Sequence, residues 1–386
     1  MKVINTQEQL DAFCEKAEDK EFLCVDTEFM RESTFYSILC LIQAATDDAE
    51  AIIDPLADGL DLAPFMALLH DPKITKVMHA ARQDLEIFYQ MDGQVPAPLF
   101  DSQIAAMALG FGDSVGYDAL VKGRLGRDLD KGARFTDWSR RPLSDKQLTY
   151  AMGDVTHLRD LYPGMVEELK ERLRTAWVEE EMAHLLSPEL YQSDPEKAWE
   201  RLKIRNPKQG YLAALKAAAA WRETIAKEKN VPRRRVIKDD ALYDIAQQKP
   251  RDAKALSRLR SIPKGFERSS QAGALIKTLN YALDNADDYA PVLPKTRHMP
   301  SGIGPASDML RTLLSLKAEY DDIAPRLIAS SKEIDQIAAF GDGANVPALS
   351  GWRRELFGED ALKMLKGELA LRLEGRKVVI EEIGAD

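Results

Sequence analysis

The stretch Phe22–Met30 constrains this chain most, because its apolar run ends in two acidic residues: FLCVDTEFM. A β-strand places residues i and i+2 on one face about 7 Å apart, so Asp26 and Glu28 would point together into one pocket. Two such carboxylates repel each other unless a cation lies between them, and Mg²⁺ prefers carboxylate oxygens while it keeps several waters. The alternative is a strand that ends in a solvated acidic turn, since such triplets are common by chance. Further carboxylates would favour the metal hypothesis.

The segments after this strand predict a mixed sheet. FYSILCLIQAA and EAIID are predicted strands, and the first is a continuous apolar run of the kind that is buried on both faces. LAPFMALLHDP and ARQDLEIFYQ predict helices on either side of a strand at ITKVMH, and PLFDSQIAAMAL predicts a short strand that enters a helix. Three strands followed by alternating helices and strands are typical of an α/β domain with helices against a mixed sheet.

The C-terminal half predicts helices. From Tyr211 onward, Ala, Leu, Lys and Arg recur at helical spacing, and no convincing strand is predicted before the last residues. Segments around Pro232 and Pro325 resemble each other at a period of 93 residues, which indicates a duplicated helical unit. We predict a domain at residues 1–194, a helical domain at 205–290, a linker rich in Pro and Gly at 291–305 and a second helical domain at 306–386.

Composition limits the function classes. The chain has no run of about 18 apolar residues, and its start, MKVINTQEQLDAF, lacks the apolar segment of a secretory signal, so we expect neither a membrane span nor export. Three cysteines without metal-type spacing predict reduced thiols, and these features together predict a cytoplasmic location. The net charge of −10 disfavours a wholly basic surface for nucleic acid, although a local binding surface stays open.

Two later segments supply further carboxylates. HAARQDLEIF places Asp84 in the first turn of a helix after a strand, where the helix dipole favours an anion. SDKQLTYAMGDVTHL predicts a helix with Ser144 as its N-cap and an apolar stripe along one face. Tyr150 and Asp154 are then one turn apart on the flank of that stripe and would face one site. Taken singly, Asp84 is better explained as an ordinary acid at a helix N-terminus, and Tyr150 with Asp154 as a partly buried tyrosine beside a surface aspartate.

Three motifs in this order resemble a known family. VDTE, HAARQDLEIF and YAMGD resemble the exonuclease motifs of the DEDD superfamily, and specifically those of ribonuclease D. Tyr150 stands four residues before Asp154, which indicates the subtype with tyrosine in the third motif. RNPKQGYLAALKAAAAWRE is similar to the start of an HRDC (helicase and RNase D C-terminal) domain. The resemblance implies an α/β fold: a ribonuclease H-like mixed-sheet exonuclease domain followed by two small all-helical HRDC-like domains.

The resemblance also implies a chemistry. Asp26, Glu28 and Asp154 would hold two divalent ions, Mg²⁺ or Mn²⁺, and Asp84 would hold the second ion through water. Tyr150 would orient the attacking water rather than act as a base, because an unperturbed tyrosine has a pKa of about 10. The implied substrate is RNA with a free 3′ end, such as a tRNA precursor. The implied enzyme releases 5′-mononucleotides stepwise. The oligomeric state stays open, with a monomer as the default expectation, and the composition predicts no membrane partner.

Two basic segments are candidates for nucleic-acid binding. Residues 121–141 mix basic side chains with Phe135 and Trp138, a combination suited to phosphate contact and base stacking. Residues 227–238 form a second basic run in the first helical domain. The alternatives are solvated surfaces, with Trp138 in the core. The candidate residues are Arg134, Trp138, Arg140, Arg141, Arg233, Arg234 and Arg235.

Three functions fit these motifs: a 3′-5′ exoribonuclease, a 3′-5′ DNA exonuclease, and a non-catalytic RNA-binding adaptor on a decayed nuclease fold. All four acids and Tyr150 are present, which disfavours the adaptor. The choice between RNA and DNA depends on contacts to the 2′-hydroxyl, which cannot be identified from the sequence. The sequence has no G-x-x-x-x-G-K-[ST] phosphate loop, which disfavours a fused helicase.

Overall fold

The computed structural model describes residues 3–130, 132–293 and 297–383, and its N-terminal part is built on a six-stranded sheet. The strands are β1 (Val3–Ile4), β2 (Phe22–Met30), β3 (Ile38–Ala45), β4 (Glu50–Ile53), β5 (Thr75–Met78) and β6 (Leu99–Asp101). Their spatial order is β1-β4-β3-β2-β5-β6. The strand β2 pairs antiparallel with β3 and parallel with β5, so the mixed sheet predicted from the sequence is confirmed and FLCVDTEFM lies at its centre.

Helices cover both faces of this sheet. They are α1 (Gln7–Ala17), α2 (Ala63–His70), α3 (Arg82–Asp92), α4 (Ser102–Ala108), α5 (Tyr117–Leu125), α6 (Asp145–Glu171) and α7 (Thr175–Leu185). The helices α1, α2 and α3 bury apolar residues against one face, and α4, α5 and α6 bury theirs against the other. The alternation of side chains along β2 therefore sends every second residue into each of two separate apolar layers.

The middle helical unit, residues 209–289, has an apolar core of its own. Its helices are α8 (Gln209–Glu228), α9 (Arg233–Val236), α10 (Asp239–Gln248), α11 (Ala253–Leu256), α12 (Ser270–Asp284) and α13 (Ala286–Tyr289). An alanine-rich stretch of α8 is buried at the centre, which lets α10 and α12 pack close to its backbone. Within the described ranges, no helix combines the length and apolar composition that crossing a bilayer requires.

The C-terminal unit, residues 304–383, is not purely helical. It contains α14 (Gly304–Tyr320), α15 (Pro325–Ile328), α16 (Ser331–Phe340), α17 (Gly351–Arg353) and α18 (Glu359–Lys366), and then β7 (Leu369–Glu374) and β8 (Lys377–Glu382). The antiparallel pair β7-β8 corrects the prediction of an all-helical second unit. The linker predicted at 291–305 has no helix or strand at its described positions before Gly304, and residues 294–296 lie outside the described residues.

The C-terminal unit shares one continuous apolar core with the face of the sheet that α6 covers. Trp177 of α7 and Trp352 of α17 stack with ring centroids 4.2 Å apart and planes 11° from parallel. The Arg353 guanidinium is buried beside this stack and forms ion pairs with Glu180 and Glu181 of α7. The C-terminal unit therefore stabilises the sheet domain directly, because the two bury apolar surface against each other.

We expect Trp352→Ala to destabilise the whole chain by about 3 kcal/mol, because a large aromatic contact is lost at the junction between two units. Thermal or urea unfolding of the full chain measures this loss. Leu373→Ala is the matched control, since Leu373 is 69% exposed in β7, and it should change stability by less than about 0.5 kcal/mol. Equal stability of the Trp352→Ala variant and the control would contradict a shared core.

Candidate active site

The central strand β2 carries two carboxylates to one end of the sheet. Asp26 and Glu28 lie on the face that α6 covers, while Thr27 between them lies on the opposite face. The register between β2 and β3 shifts between Glu28 and Phe29, which marks a β-bulge. A bulge interrupts regular pairing and redirects side chains, so the acidic end of β2 departs from the flat sheet where it borders the cleft described below.

Helix α6 brings the third carboxylate to this end. The Ser144 hydroxyl accepts a hydrogen bond from the backbone N–H of Gln147, and the Gln147 side chain accepts one from the backbone N–H of Ser144, so α6 begins with a capping box. The predicted apolar stripe is buried: Leu148, Ala151, Val155 and Leu158. One carboxylate oxygen from each of Asp26, Glu28 and Asp154 lies within 4.8 Å of the others. We call these three residues the carboxylate cluster.

Asp84 lies beside the carboxylate cluster rather than in it. It is in the first turn of α3, as predicted, and is only 7% exposed. The Thr27 hydroxyl donates a hydrogen bond to Asp84 Oδ1, and the backbone N–H of Thr27 also stabilises the charged carboxylate. Sequence reasoning missed Thr27, because a threonine in a strand is ordinary. Its position between two acids is the one signal that could have indicated a role.

Burial raises the pKa of all four acids. It is the main cause for Glu28, whose pKa rises to about 8, and for Asp154, whose pKa rises to about 7. Burial, followed by repulsion from the other three acids, holds the pKa of Asp26 well above its ordinary value. Burial also raises the pKa of Asp84 to about 6, against the opposing hydrogen bond from Thr27. Such a set of acids lacks a counter-charge that a hard divalent cation can supply.

Tyr150 stands one helical turn before Asp154 on α6. Its ring centroid lies 6.1 Å from that of Trp138, and the side chain is half-buried. Burial, and then the nearby carboxylates, raise the pKa of its hydroxyl above the ordinary value. The hydroxyl is therefore protonated at neutral pH, so it can hold a water by a hydrogen bond but cannot serve as a general base.

Tyr117 of α5 supports α6 next to Asp154. Its hydroxyl donates to the backbone carbonyl oxygens of Asp154 at 2.6 Å and of Gly153 at 3.2 Å. The His79 ring packs against Tyr117 with centroids 5.3 Å apart. Nothing in the sequence around Tyr117 connects it with the third motif, so sequence reasoning could not have found this contact.

The carboxylate cluster borders a cleft of about 1380 Å³. One wall is the segment between α5 and α6, where Phe135 is 92% exposed and the Arg134 guanidinium lies 5.3 Å from its ring centroid. The charge of Arg134 opposes the rise in the pKa of Glu28 and of Asp154, so it acts directly on the cluster. An exposed aromatic ring beside a cation suits base stacking and phosphate contact.

Two other residues of this segment are buried or paired within the fold, contrary to the nucleic-acid binding predicted for them. Trp138 is 2% exposed and lies against Tyr150, so its ring is not available to a base. Arg141 donates two hydrogen bonds of 2.7 Å to Asp54 and three more to backbone carbonyl oxygens, so its guanidinium is used inside the fold. Arg140 is exposed, and its binding to nucleic acid stays a prediction.

In the second basic segment, residues 227–238, one of the three candidate arginines is paired within the fold and two are exposed. Arg233 donates to Glu223, which is 1% exposed, at 2.5 and 2.6 Å, and its guanidinium lies 4.5 Å from the ring centroid of Phe35 in the loop after β2. This arginine therefore joins the middle helical unit to the sheet domain, contrary to the predicted phosphate contact. Arg234 and Arg235 are exposed and have no side-chain hydrogen bond or ion pair in the described part of the chain.

Comparisons with known proteins agree with this geometry. The model of a 3′-5′ exonuclease family matches residues 1–170, and that of the HRDC domain matches residues 212–270. Ribonuclease D of Nitrobacter hamburgensis is 46% identical over 379 residues, covering 98% of this chain and 99% of that protein. Ribonuclease D of Jannaschia sp. is 47% identical over 386 residues, with coverages of 98% and 99%.

Among solved structures, Escherichia coli RNase D, described as an exoribonuclease involved in structured RNA processing, matches with a TM-score of 0.79 and 29% identity. The match covers 95% of this chain and 98% of that one. The fold and the carboxylate cluster thus define a 3′-5′ exonuclease that uses divalent metal. The chain belongs to the ribonuclease D family and is a 3′-5′ exoribonuclease, which confirms the first of the three hypotheses drawn from the sequence.

We expect Asp26→Asn to stabilise the protein in the presence of a chelator, and more at pH 8 than at pH 5. The raised pKa values mean that the folded, metal-free protein holds more protons than the unfolded chain between roughly pH 4 and pH 8, so its stability falls as pH rises through that window. The neutral amide of Asp26→Asn removes one of these charges, so the variant loses less stability as pH rises. Each kcal/mol should raise Tm by roughly 2–4 °C.

The measurement is thermal unfolding at both pH values, with chelator and with excess Mg²⁺. Asp58→Asn is the matched control, because Asp58 is exposed and distant in sequence from the motifs, and it should change Tm little. Excess Mg²⁺ should stabilise the wild type more than the Asp26→Asn variant. If Asp26→Asn instead lowers Tm in chelator at pH 8, repulsion within the cluster is weaker than the contacts that the Asp26 carboxylate makes in the fold.

Proposed function

We propose that this chain trims RNA from the 3′ end, one nucleotide at a time, and releases 5′-mononucleotides, with tRNA precursors among its substrates. Two divalent ions, Mg²⁺ or Mn²⁺, would be held directly by Asp26, Glu28 and Asp154 and through water by Asp84. The observation that carries the proposal is the approach of three carboxylate oxygens to within 4.8 Å in an open cleft.

The donor set fits such ions. Carboxylate oxygens are the ligands that Mg²⁺ and Mn²⁺ prefer, and three of them leave room for the waters and phosphate oxygens that these ions retain. When bound, a pair of divalent ions activates a water and neutralises charge on the phosphate and the leaving oxygen. Zinc is disfavoured, since the described groups that could hold a metal contain no cysteine or histidine.

The chain's own residues would position the reactants. The protonated Tyr150 hydroxyl would hydrogen-bond the attacking water and fix its approach to the phosphorus. The carboxylate cluster would hold the divalent ions against which the scissile phosphate binds. Arg134 would contact the phosphate, and Phe135 would stack on a base near the 3′ end. Trp138 contributes by packing behind Tyr150, which limits the rotation of that ring.

Substrate class and cellular setting are part of the same proposal. The match with a protein described as acting in structured RNA processing supports a structured RNA substrate, and tRNA precursors have the extended 3′ ends that stepwise trimming requires. We further propose a monomer in the cytoplasm. The cytoplasmic location is supported by three buried cysteines that are free thiols.

The test is digestion of RNA labelled at the 5′ end or at the 3′ end, alongside DNA of the same sequence and a tRNA precursor with an extended 3′ end. We expect a ladder of shortening 5′-labelled products, immediate release of a labelled mononucleotide from the 3′-labelled RNA, and loss of both on chelation. Internal fragments, or equal rates on DNA, would refute the proposed specificity.

Tyr150→Phe should lower kcat by roughly 10- to 1000-fold while RNA affinity changes little, because a positioned hydroxyl acts mainly in the transition state. Single-turnover cleavage with saturating enzyme, beside equilibrium RNA binding, separates the two effects. Tyr162→Phe is the matched control, since it removes the same hydroxyl from another tyrosine of α6 that does not line the cleft. A loss of RNA affinity with unchanged single-turnover cleavage would make Tyr150 a substrate contact.

Arg234→Ala with Arg235→Ala should flatten the dependence of log K on log salt concentration for single-stranded RNA by roughly 0.7 per lost phosphate contact, up to about 1.4. The rate on a saturating short oligonucleotide should be unchanged, because these residues are outside the cleft lining. Arg376→Ala with Lys377→Ala removes the same charge at the start of β8 and in the turn before it, and is the matched control. Identical slopes for the two double variants would exclude a specific RNA contact at Arg234 and Arg235.

A further inference from the structure

Gln43 is a buried polar residue whose role the site described above does not explain. It lies in β3, its exposure is 0%, and neither polar atom of its amide group has a hydrogen-bond partner among the described residues. A buried polar group left without a partner costs about 1–3 kcal/mol. An apolar side chain of similar size would avoid that cost, so the presence of an amide here needs a physical reason.

The sheet register places Gln43 next to a residue of the carboxylate cluster. Gln43 and Asp26 are directly opposite each other in the antiparallel pair of β3 and β2. Side chains in that relation point to the same face, with Cβ atoms about 4.5–5.5 Å apart. This face is the one that α6 covers, and α6 carries Asp154. Gln43 therefore lies on the buried side of the cluster, away from the cleft.

The other neighbours of Gln43 on this face offer little hydrogen bonding. Along β3 the same-face neighbours are Leu41 and Ala45, and on the other side Ile52 of β4 is directly opposite Gln43. The buried residues that α6 contributes are apolar. Apart from the weak thiol of Cys24, the described strands place only the carboxylates of β2 beside the amide as strong hydrogen-bonding groups.

We propose that Gln43 is a positioning residue for Asp26, and that its amide N–H group donates a hydrogen bond to the Asp26 carboxylate when that carboxylate holds a divalent cation. The inference rests on the proposed metal-binding role of Asp26 and adds a residue from the neighbouring strand to it. A donor behind a metal ligand fixes the orientation of that ligand, and loss of such a partner typically weakens metal affinity by about 10- to 100-fold.

The test is Gln43→Met in the full chain, because methionine keeps the volume and removes the polar atoms. Calorimetric titration with Mn²⁺ at 25 °C should show about tenfold weaker binding than the wild type. Thermal unfolding in chelator should show a Tm equal to or above that of the wild type, since the unpartnered amide is removed. These opposite directions are not expected from a residue whose role is only structural.

Leu41→Met is the matched control, because Leu41 lies on the same face of β3 two residues from Gln43, opposite Glu28. This change alters no hydrogen-bonding group, so it should leave Mn²⁺ affinity unchanged. Wild-type Mn²⁺ affinity in the Gln43→Met variant would overturn the inference. A lower Tm of that variant in chelator would also overturn it, because the amide would then be satisfied within the fold. Absence of Mn²⁺ binding by the wild type would instead refute the proposed metal centre itself.

Discussion

The close approach of the largely buried carboxylates of Asp26, Glu28 and Asp154 is the constraint on which the rest of this structure depends. Three carboxylate oxygens lie within 4.8 Å of one another, and burial raises the pKa of Asp26, Glu28 and Asp154. The packing that opposes repulsion among them is apolar. Helix α6 buries eight side chains, all of them apolar, and each large one stabilises the fold by about 1.5–3 kcal/mol. The cluster is therefore imposed by the core around it.

Ion pairs also determine which arginine side chains of this acidic protein remain free to bind a ligand. Arg141 is held by Asp54, Arg233 by Glu223, and Arg353 by two glutamates of α7, so these guanidinium groups join distant parts of the chain. Arg134 remains at the wall of the cleft, close enough to the cluster to act on its carboxylates. Arginine suits both tasks, because its planar group pairs with a carboxylate in the fold or with a phosphate outside it.

Much of the local structure, and the positions of the motif carboxylates along their strand and helices, could be predicted from the sequence. The strand at FLCVDTEFM, the capped helix that begins after Ser144 and the position of Asp84 in a first turn all follow from periodicity, capping and strand alternation, which are local properties. The family resemblance rested on those same segments. A strand was expected only in the last residues, and the pairing of β7 with β8 could not be predicted, because short strands whose side chains are half exposed carry little apolar pattern.

By itself, the sequence determined which residues face the same way along each strand and helix, and hence that Asp26 lies on the same face as Glu28, and Tyr150 on the same face as Asp154. Only the tertiary structure decided which groups come together from distant segments. Trp138 packs against Tyr150, and Arg141 and Arg233 form ion pairs within the fold. Thr27 hydrogen-bonds Asp84, and Gln43 lies opposite Asp26. The physical reason is that periodicity gives the direction of a side chain, whereas its partner depends on register and packing between elements that are far apart in the chain.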